Sequence, residues 1–318
     1  MLRESLAGHI LTCFTITVWG ATFISSKILL RDFIPIEILF DRFLLGFIAM
    51  WIIFPHIMRV KSLRHEIIMA IAGLFGITLY FLCENIALVY SKAANVGVII
   101  ASVPFFTGLV DRLLGTKRKL PKGFFLGFII AMTGICLLTF SSLDELSFNP
   151  IGDGLAVLAS VMWAFYCLFI NKALSFGYKP LQVTRHVFAY GLIFMLIPMY
   201  FMGYEFKFES LAKPVNYLNL LFLGLCASAL CYVTWSLSVK LIGTVKASAW
   251  LYISPAVTVI MAILILDETV SGLGIFGMLL TFLGLIISQN GIKGIIRLII
   301  KRHEVLKVPQ KTSYGTKK

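Results

Sequence analysis

Charge is what this chain has least of. Lys, Arg, Asp and Glu together make 14% of its 318 residues, where a soluble domain carries about 25%. That is too little to coat a soluble surface, and the mean hydropathy of +0.93 agrees. Acid is scarcer than base, with 15 acidic residues against 28 basic ones and a formal net charge of +13. The excess does not imply nucleic acid, because the bases are not gathered on a soluble domain. They lie in short connections and in the C-terminal stretch, where membrane topology and anionic lipid account for them. Cysteine is sparse too. Cys13, Cys83, Cys136, Cys167, Cys226 and Cys231 all fall inside apolar segments and none forms a CxxC pair. They read as packing residues, which excludes a disulfide framework or a metal cluster from the expectations. No HExxH, Walker A, paired catalytic aspartates or His-rich cluster is present. An intramembrane enzyme is therefore disfavoured and no cofactor is expected. Few residues precede the first apolar run, so no cleavable signal is expected.

What the chain has in plenty is apolar sequence, at 59% of residues. A bilayer core takes about 20 apolar residues per helix. Ten such runs occur, at 8–29, 35–58, 67–90, 94–115, 121–141, 151–173, 180–203, 216–239, 246–266 and 272–291. Backbone groups in lipid must be satisfied within the segment, so runs of this length are helices. The expected fold is an all-α integral membrane protein of ten transmembrane helices.

Loop charges set its orientation. With the N-terminus cytoplasmic, the inside segments carry Arg3, then Arg59, Lys61 and Arg64, then Lys117, Arg118, Lys119 and Lys122, then Lys172, Lys179, Lys240 and Lys246, and then the basic tail. The outside segments carry Lys27, Arg31, Lys92, Lys207 and Lys213. This bias predicts a multi-pass protein of the cell (inner) membrane with both termini cytoplasmic.

The sequence also says nearly the same thing twice. Pro104 and Pro255 each interrupt an apolar run, and a polar hinge follows each thirteen residues later, at Lys117 and Glu268. The front ends match through Trp19 and Trp163, Lys27 and Lys172, and Pro35 and Pro180. The back ends match through Gly127, Ala131 and Gly134 against Gly277, Thr281 and Gly284. Ten spans divide into five and five, and five is odd, so the second copy is expected upside down to the first. The repeats are 8–141 and 151–291. Residues 292–318 form a basic tail in which Lys293, Arg297 and Lys301 share one helical face, fitting an anionic membrane surface. The small-residue stripes let helices approach closely, either within this chain or across a homodimer.

At these residues the chain resembles the EamA family of the drug/metabolite transporter superfamily. The resemblance runs through Trp19-Gly20, Arg42, the stretch Ser91-Lys92-Ala93-Ala94-Asn95, Pro104, Ser254-Pro255 and Asp267-Glu268. It covers residues 8 to 291. The family's usual hinge Glu is replaced by Lys117, and Glu84-Asn85 stands where the family is usually apolar. The resemblance implies a ten-helix secondary transporter, commonly an exporter of small metabolites or amino acids, whose central cavity opens alternately to each side.

Ionisable groups inside a membrane are costly, so each needs a reason. Arg42 and Glu84 both fall about 10 Å below the outer surface at 1.5 Å of rise per residue. Either they form a buried ion pair, or Arg42 holds a substrate carboxylate while Glu84 takes a proton. Arg185 and His186 fall about 8 Å inside the opposite surface. His186 is a packing, gating or proton-coupling group. Asp111-Arg112 reads as snorkelling or local pairing at the interface. Trp19, Trp163, Tyr166, Tyr190, Trp235, Trp250 and Tyr252 are cavity candidates, with helix packing as the alternative, and Asn85 offers hydrogen bonds. Pro104 and Pro255 are expected to act as hinges, freeing the carbonyls of Ile100 and Leu251. The partner expected is a small-molecule solute. A lipid-handling or non-transporting scaffold is the competing reading.

Overall fold

The computed structural model describes residues 2–90, 96, 99–115, 120–140, 149–257 and 272–288. All regular structure among the described residues is helical. Helix α1 spans Leu2–Leu29 and α2 spans Pro35–Ile53. Helix α3 runs through Leu63–Gly73, Leu74–Leu79 and Tyr80–Tyr90. Then come α4 (Val103–Leu114), α5 (Phe124–Phe140), α6 (Pro150–Leu174), α7 (Pro180–Met202) and the short α8 (Phe208–Leu211). Helix α9 runs through Pro214–Leu221, Phe222–Leu230 and Cys231–Ile242. The last two are α10 (Thr244–Ala249) and α11 (Gly272–Ser288). Four rods among the described residues are long and apolar enough to cross a membrane: Leu63–Ala87, Pro150–Leu174, Pro180–Met202 and Pro214–Ile242. The hinges at Ser91–Asn95, Lys117 and Asp267-Glu268 and the tail 292–318 lie outside the described residues.

Local chemistry explains the boundaries. Pro35, Pro150, Pro180 and Pro214 each occupy the first turn of a helix, where the missing N–H costs nothing. The Glu37 carboxylate accepts the Ile34 N–H at 2.8 Å and so caps α2 from within. Asn149 Oδ1 accepts from the N–H groups of Ile151 and Gly152 and caps α6. Gly203, at φ +67°, ends α7 in the left-handed region that a Cβ disfavours.

Two expected spans need correction. The run 35–58 is helical only to Ile53. Pro55 has no N–H to donate and pushes Phe54 out of helical geometry, to φ −141° and ψ 79°. The run 94–115 is not one helix where it is described. The chain turns at Ala101-Ser102, and Pro104 lies in the first turn of α4 rather than in mid-helix. The Ser102 hydroxyl there bonds the Ile99 carbonyl, not that of Ile100. Pro255 stands in a comparable place, just after the tight 3-10 turns of Trp250–Ile253.

Two helices change pitch midway. Leu74–Leu79 in α3 and Phe222–Leu230 in α9 wind as π-helix, with each hydrogen bond reaching one residue further back. Such turns are rare and concentrate at functional sites, because they widen the helix and re-aim its carbonyls.

The packing interleaves the two halves of the chain. Helix α1 packs on α9, α3 on α6 and α7, α2 on α7 and α9, and α4 on α6 and α10. The small-residue stripes meet each other inside the chain. A Cβ on Gly127 would fall 2.6 Å from the Gly284 carbonyl, and one on Gly134 would fall 2.6 Å from the Gly277 carbonyl. The stripes therefore join α5 to α11 backbone against backbone.

Candidate functional site

Aromatic rings from six helices converge in the middle of the bundle. Trp19 of α1 has its ring centroid 5.4 Å from Trp163 of α6 and 5.5 Å from both Tyr232 and Trp235 of α9. Trp163 continues the cluster to Tyr80 of α3 at 4.9 Å and to Tyr166 at 5.0 Å. Phe43 of α2 and Phe188 of α7 close it against Tyr232, at 5.8 and 5.1 Å. The contacts are edge-to-face or tilted, and the edge-to-face ones suit the ring quadrupoles. Gly76, in the π turns of α3, makes room for this arrangement. A Cβ there would fall 2.2 Å from the Tyr166 ring.

The cluster is not only a packed core. The indole N–H groups of Trp163 and Trp235 are buried without a hydrogen-bond partner, and so is Glu84 Oε2. Buried polar groups are otherwise satisfied in the great majority of cases, so each of these calls for a reason.

Arg42 stands at the edge of the cluster nearer the α1–α2 turn. It is 6% exposed, and its Nε donates to Ser228 Oγ at 3.0 Å. The guanidinium lies over the rings of Phe43 and Phe81, 5.1 and 4.9 Å from their centroids. Glu84, 8% exposed, and Tyr80 face the same guanidinium. Arg42 and Glu84 make no ion pair with each other, unlike Lys207 with Glu37 and Lys213 with Asp32. A cation and an anion thus share one buried, aromatic-walled place, and Glu84 keeps an oxygen free. Asn85, next to Glu84 in the sequence, is partly buried.

The other sequence candidates lie elsewhere. Arg185 is buried on α7 but turns to the loop after α2, donating to the carbonyls of Phe54 (2.6 Å) and His56 and stacking on Trp51 at 3.7 Å. Its charge meets carbonyls in the loop where the chain has left α2. His186 lies 3.3 Å from the Gln182 carbonyl through Nδ1, and Tyr190 donates to Glu66. Trp250 donates to His9 Nδ1 at 3.0 Å. Tyr252 is buried against Ala131, Ile135 and Leu285, with its hydroxyl unpartnered. Asp111 is buried, while Arg112 beside it is exposed.

Sequence reasoning missed a strap at the α1–α2 end. Lys207, in the loop after α7, binds Glu37 at 3.1 Å, with the Glu37 side chain only 1% exposed. Lys213 binds Asp32 at 2.8 Å, Asn216 donates to the other Asp32 oxygen at 2.7 Å, and Tyr204 donates to Asp41 at 2.7 Å. The hydrogen bonds from Lys213 and Asn216 hold the Asp32 carboxyl below its ordinary range. Burial, followed by the bond to Asp41, pushes the Tyr204 phenol up. The partners are far apart in sequence and joined by no local pattern, so only an acidic turn facing a basic loop could have hinted at them.

The comparisons with known proteins agree with the membrane architecture. The chain matches a model described as the EamA-like transporter family over residues 6–140 and again over 150–289. It is 28% identical over 282 residues to an uncharacterized transporter of Archaeoglobus fulgidus, covering 87% of this chain and 95% of that one. It is 26% identical to the uncharacterized transporter YyaM of Bacillus subtilis (86% and 90% covered). With the uncharacterized inner membrane transporter YedA of Escherichia coli K12 it shares 25% (84% and 88%). A solved crystal structure shares its fold, with a TM-score of 0.74 at 16% identity over 96% of this chain and 99% of that one. With both family matches together spanning almost all of its length, this multi-pass membrane chain belongs to the EamA-like transporter family.

Proposed function

We propose that the protein is a secondary transporter of small metabolites or amino acids, exporting them from the cell by alternating access through the central aromatic site. The observation that carries this reading is the pair of unpartnered indole N–H groups and the free Glu84 oxygen in a buried place that also holds Arg42. Such a place is costly unless a solute or water completes it. In it, Arg42 takes an anionic group of the solute, the indoles donate to it, and Glu84 accepts a proton.

The packing supports the alternating cycle. Exchanging the two halves turns the contact of α1 with α9 into that of α6 with α3, both of which occur. It likewise exchanges the contact of α2 with α9 for that of α7 with α3. A bundle with this exchange property has two states of similar energy, facing opposite sides. The YedA likeness and the loop charges favour the inner membrane with both termini in the cytoplasm. No ATP-binding motif is present, so a gradient or an exchanged solute drives the flux.

The test is uptake and efflux in proteoliposomes with a panel of amino acids and cationic drugs, with and without a proton gradient. Flux of at least one class is expected. Absence of flux across the panel would refute the reading. In a Glu84→Gln variant that still folds, the proton gradient should no longer change the rate; a variant that follows the gradient like the parent removes Glu84 from the proton role.

A further inference from the structure

The two π-helical stretches correspond. The spacing that relates Pro104 to Pro255 also relates Gly73-Leu74 to Gly224-Leu225, Gly76 to Ala227 and Leu79 to Leu230. Gly76 and Ala227 are thus equivalent positions, each inside its π stretch. Trp19 and Trp163 are the equivalent indoles of α1 and α6. Their hydrogen bonding is not equivalent. Trp19 Nε1 donates to the Ala227 carbonyl at 2.9 Å. Trp163 Nε1, placed beside the matching stretch of α3, donates to nothing. The Gly76 carbonyl that it would need is taken by the Tyr232 hydroxyl at 3.2 Å, and the Tyr232 and Trp163 rings are 6.2 Å apart.

We propose that Trp19 and Trp163 are exchanging latches that position the bundle during transport. In the present state Trp19 holds Ala227 and Tyr232 covers Gly76. In the state facing the other side Trp163 takes the Gly76 carbonyl and Trp19 releases Ala227. This rests on the alternating-access reading above. The physical reason lies in the π turns, which aim a carbonyl sideways and leave it to an indole or phenol from a neighbouring rod. Each indole has a single donor and no acceptor, so it serves one carbonyl at a time. An unmade bond in a buried site is a bias toward the state that makes it. Phe81 occupies the position equivalent to Tyr232 and has no hydroxyl, so nothing comparable covers Ala227 once Trp19 has left it. That difference favours the state observed.

The test reads the equilibrium between the two states in the full-length chain reconstituted in liposomes. The reporter is Ile38→Cys in a background with the six native cysteines replaced by alanine. Ile38 is buried beside Leu29, Phe33, Asp41 and Leu220 at the strapped end, so its alkylation by a membrane-impermeant maleimide reports opening there. Trp19→Phe removes a bond of the closed state and should raise labelling about 3- to 10-fold, the range for a neutral hydrogen bond. Trp163→Phe removes a bond of the open state and should lower labelling by a similar factor. Tyr232→Phe loses one oxygen only, frees Gly76 for Trp163 and should raise labelling. The double variant of Trp19 and Trp163 should return toward the parent. If Trp19→Phe fails to fold, Tyr232→Phe against Trp163→Phe gives the same opposed pair. Shifts in one sense for all three variants are what a merely structural role gives, and they overturn the exchange, as does no shift at all. Failure of the transporter reading shows separately as a parent that carries no solute in the flux panel.

Discussion

At the scale of single residues, the site depends on what Arg42 and Glu84 leave unpaired. Arg42 is held by one hydroxyl and two ring faces. Glu84 faces it, but no ion pair forms, and under the proposed function both charges remain available to a solute. Arg42→Ala should therefore spare the fold and weaken solute binding. A charge-assisted hydrogen bond contributes about 1.5–3 kcal/mol, so the half-saturating concentration should rise by roughly 10- to 100-fold. Concentration-dependent flux in proteoliposomes measures it, and an unchanged half-saturation would take Arg42 out of the binding site. Arg42, Glu84, Trp19, Trp163 and Tyr166 could all be named from the sequence, because an ionisable or aromatic residue inside an apolar run is conspicuous there. Arg185 was equally conspicuous and lies elsewhere. Its guanidinium meets the loop carbonyls on either side of Pro55, a demand that arises only once α2 has ended and the loop has turned back.

Elements come next, and here two devices respond to single changes. The first is the contact of α5 with α11. Gly127 and Gly284 put backbone against backbone, so Gly127→Leu would force the helices apart. Overpacking costs about 1–3 kcal/mol, and lower thermal stability in detergent should register it. An unaltered melting temperature would mean that the stripes do not hold these helices together. The second is the strap from the loop after α7 to the α1–α2 turn. Asp32 titrates below its ordinary value, which is about 3.9 for an aspartate. A depressed carboxyl stabilises the folded contact at pH above that ordinary value, and the contribution is lost as pH falls through the depressed one. The strap should thus hold at neutral pH and loosen in acid below about pH 4. Faster hydrogen exchange in residues 203–213 as pH falls, after correction for intrinsic rates, is the expected result. Asp32→Asn should show the faster exchange already at pH 7. The strap's residues were individually visible as loop charges, but their pairing was not, since loop residues far apart in sequence meet only after the rods have packed.

On the scale of the whole molecule, the two halves interleave rather than stand side by side, and this is what builds a central site. Apolar runs by themselves determined that the chain is helical and lies in a membrane, because lipid leaves the backbone no other way to satisfy its N–H and C=O groups. Prolines and caps determined most of the helix starts, since those effects are local. The repeat and the short motifs determined the family. Tertiary structure alone decided the rest. It converted two small-residue stripes into one intramolecular contact, set Tyr166 and Tyr232 against the π turns of α3 and Leu45 and Trp19 against those of α9, and gave the Trp19 indole a hydrogen-bond partner while leaving Trp163 without one. Periodicity reports which face of a helix avoids water, a property of neighbours in sequence. Which buried donor meets which buried carbonyl depends on how separate rods pack, and packing is fixed only when all of them are present.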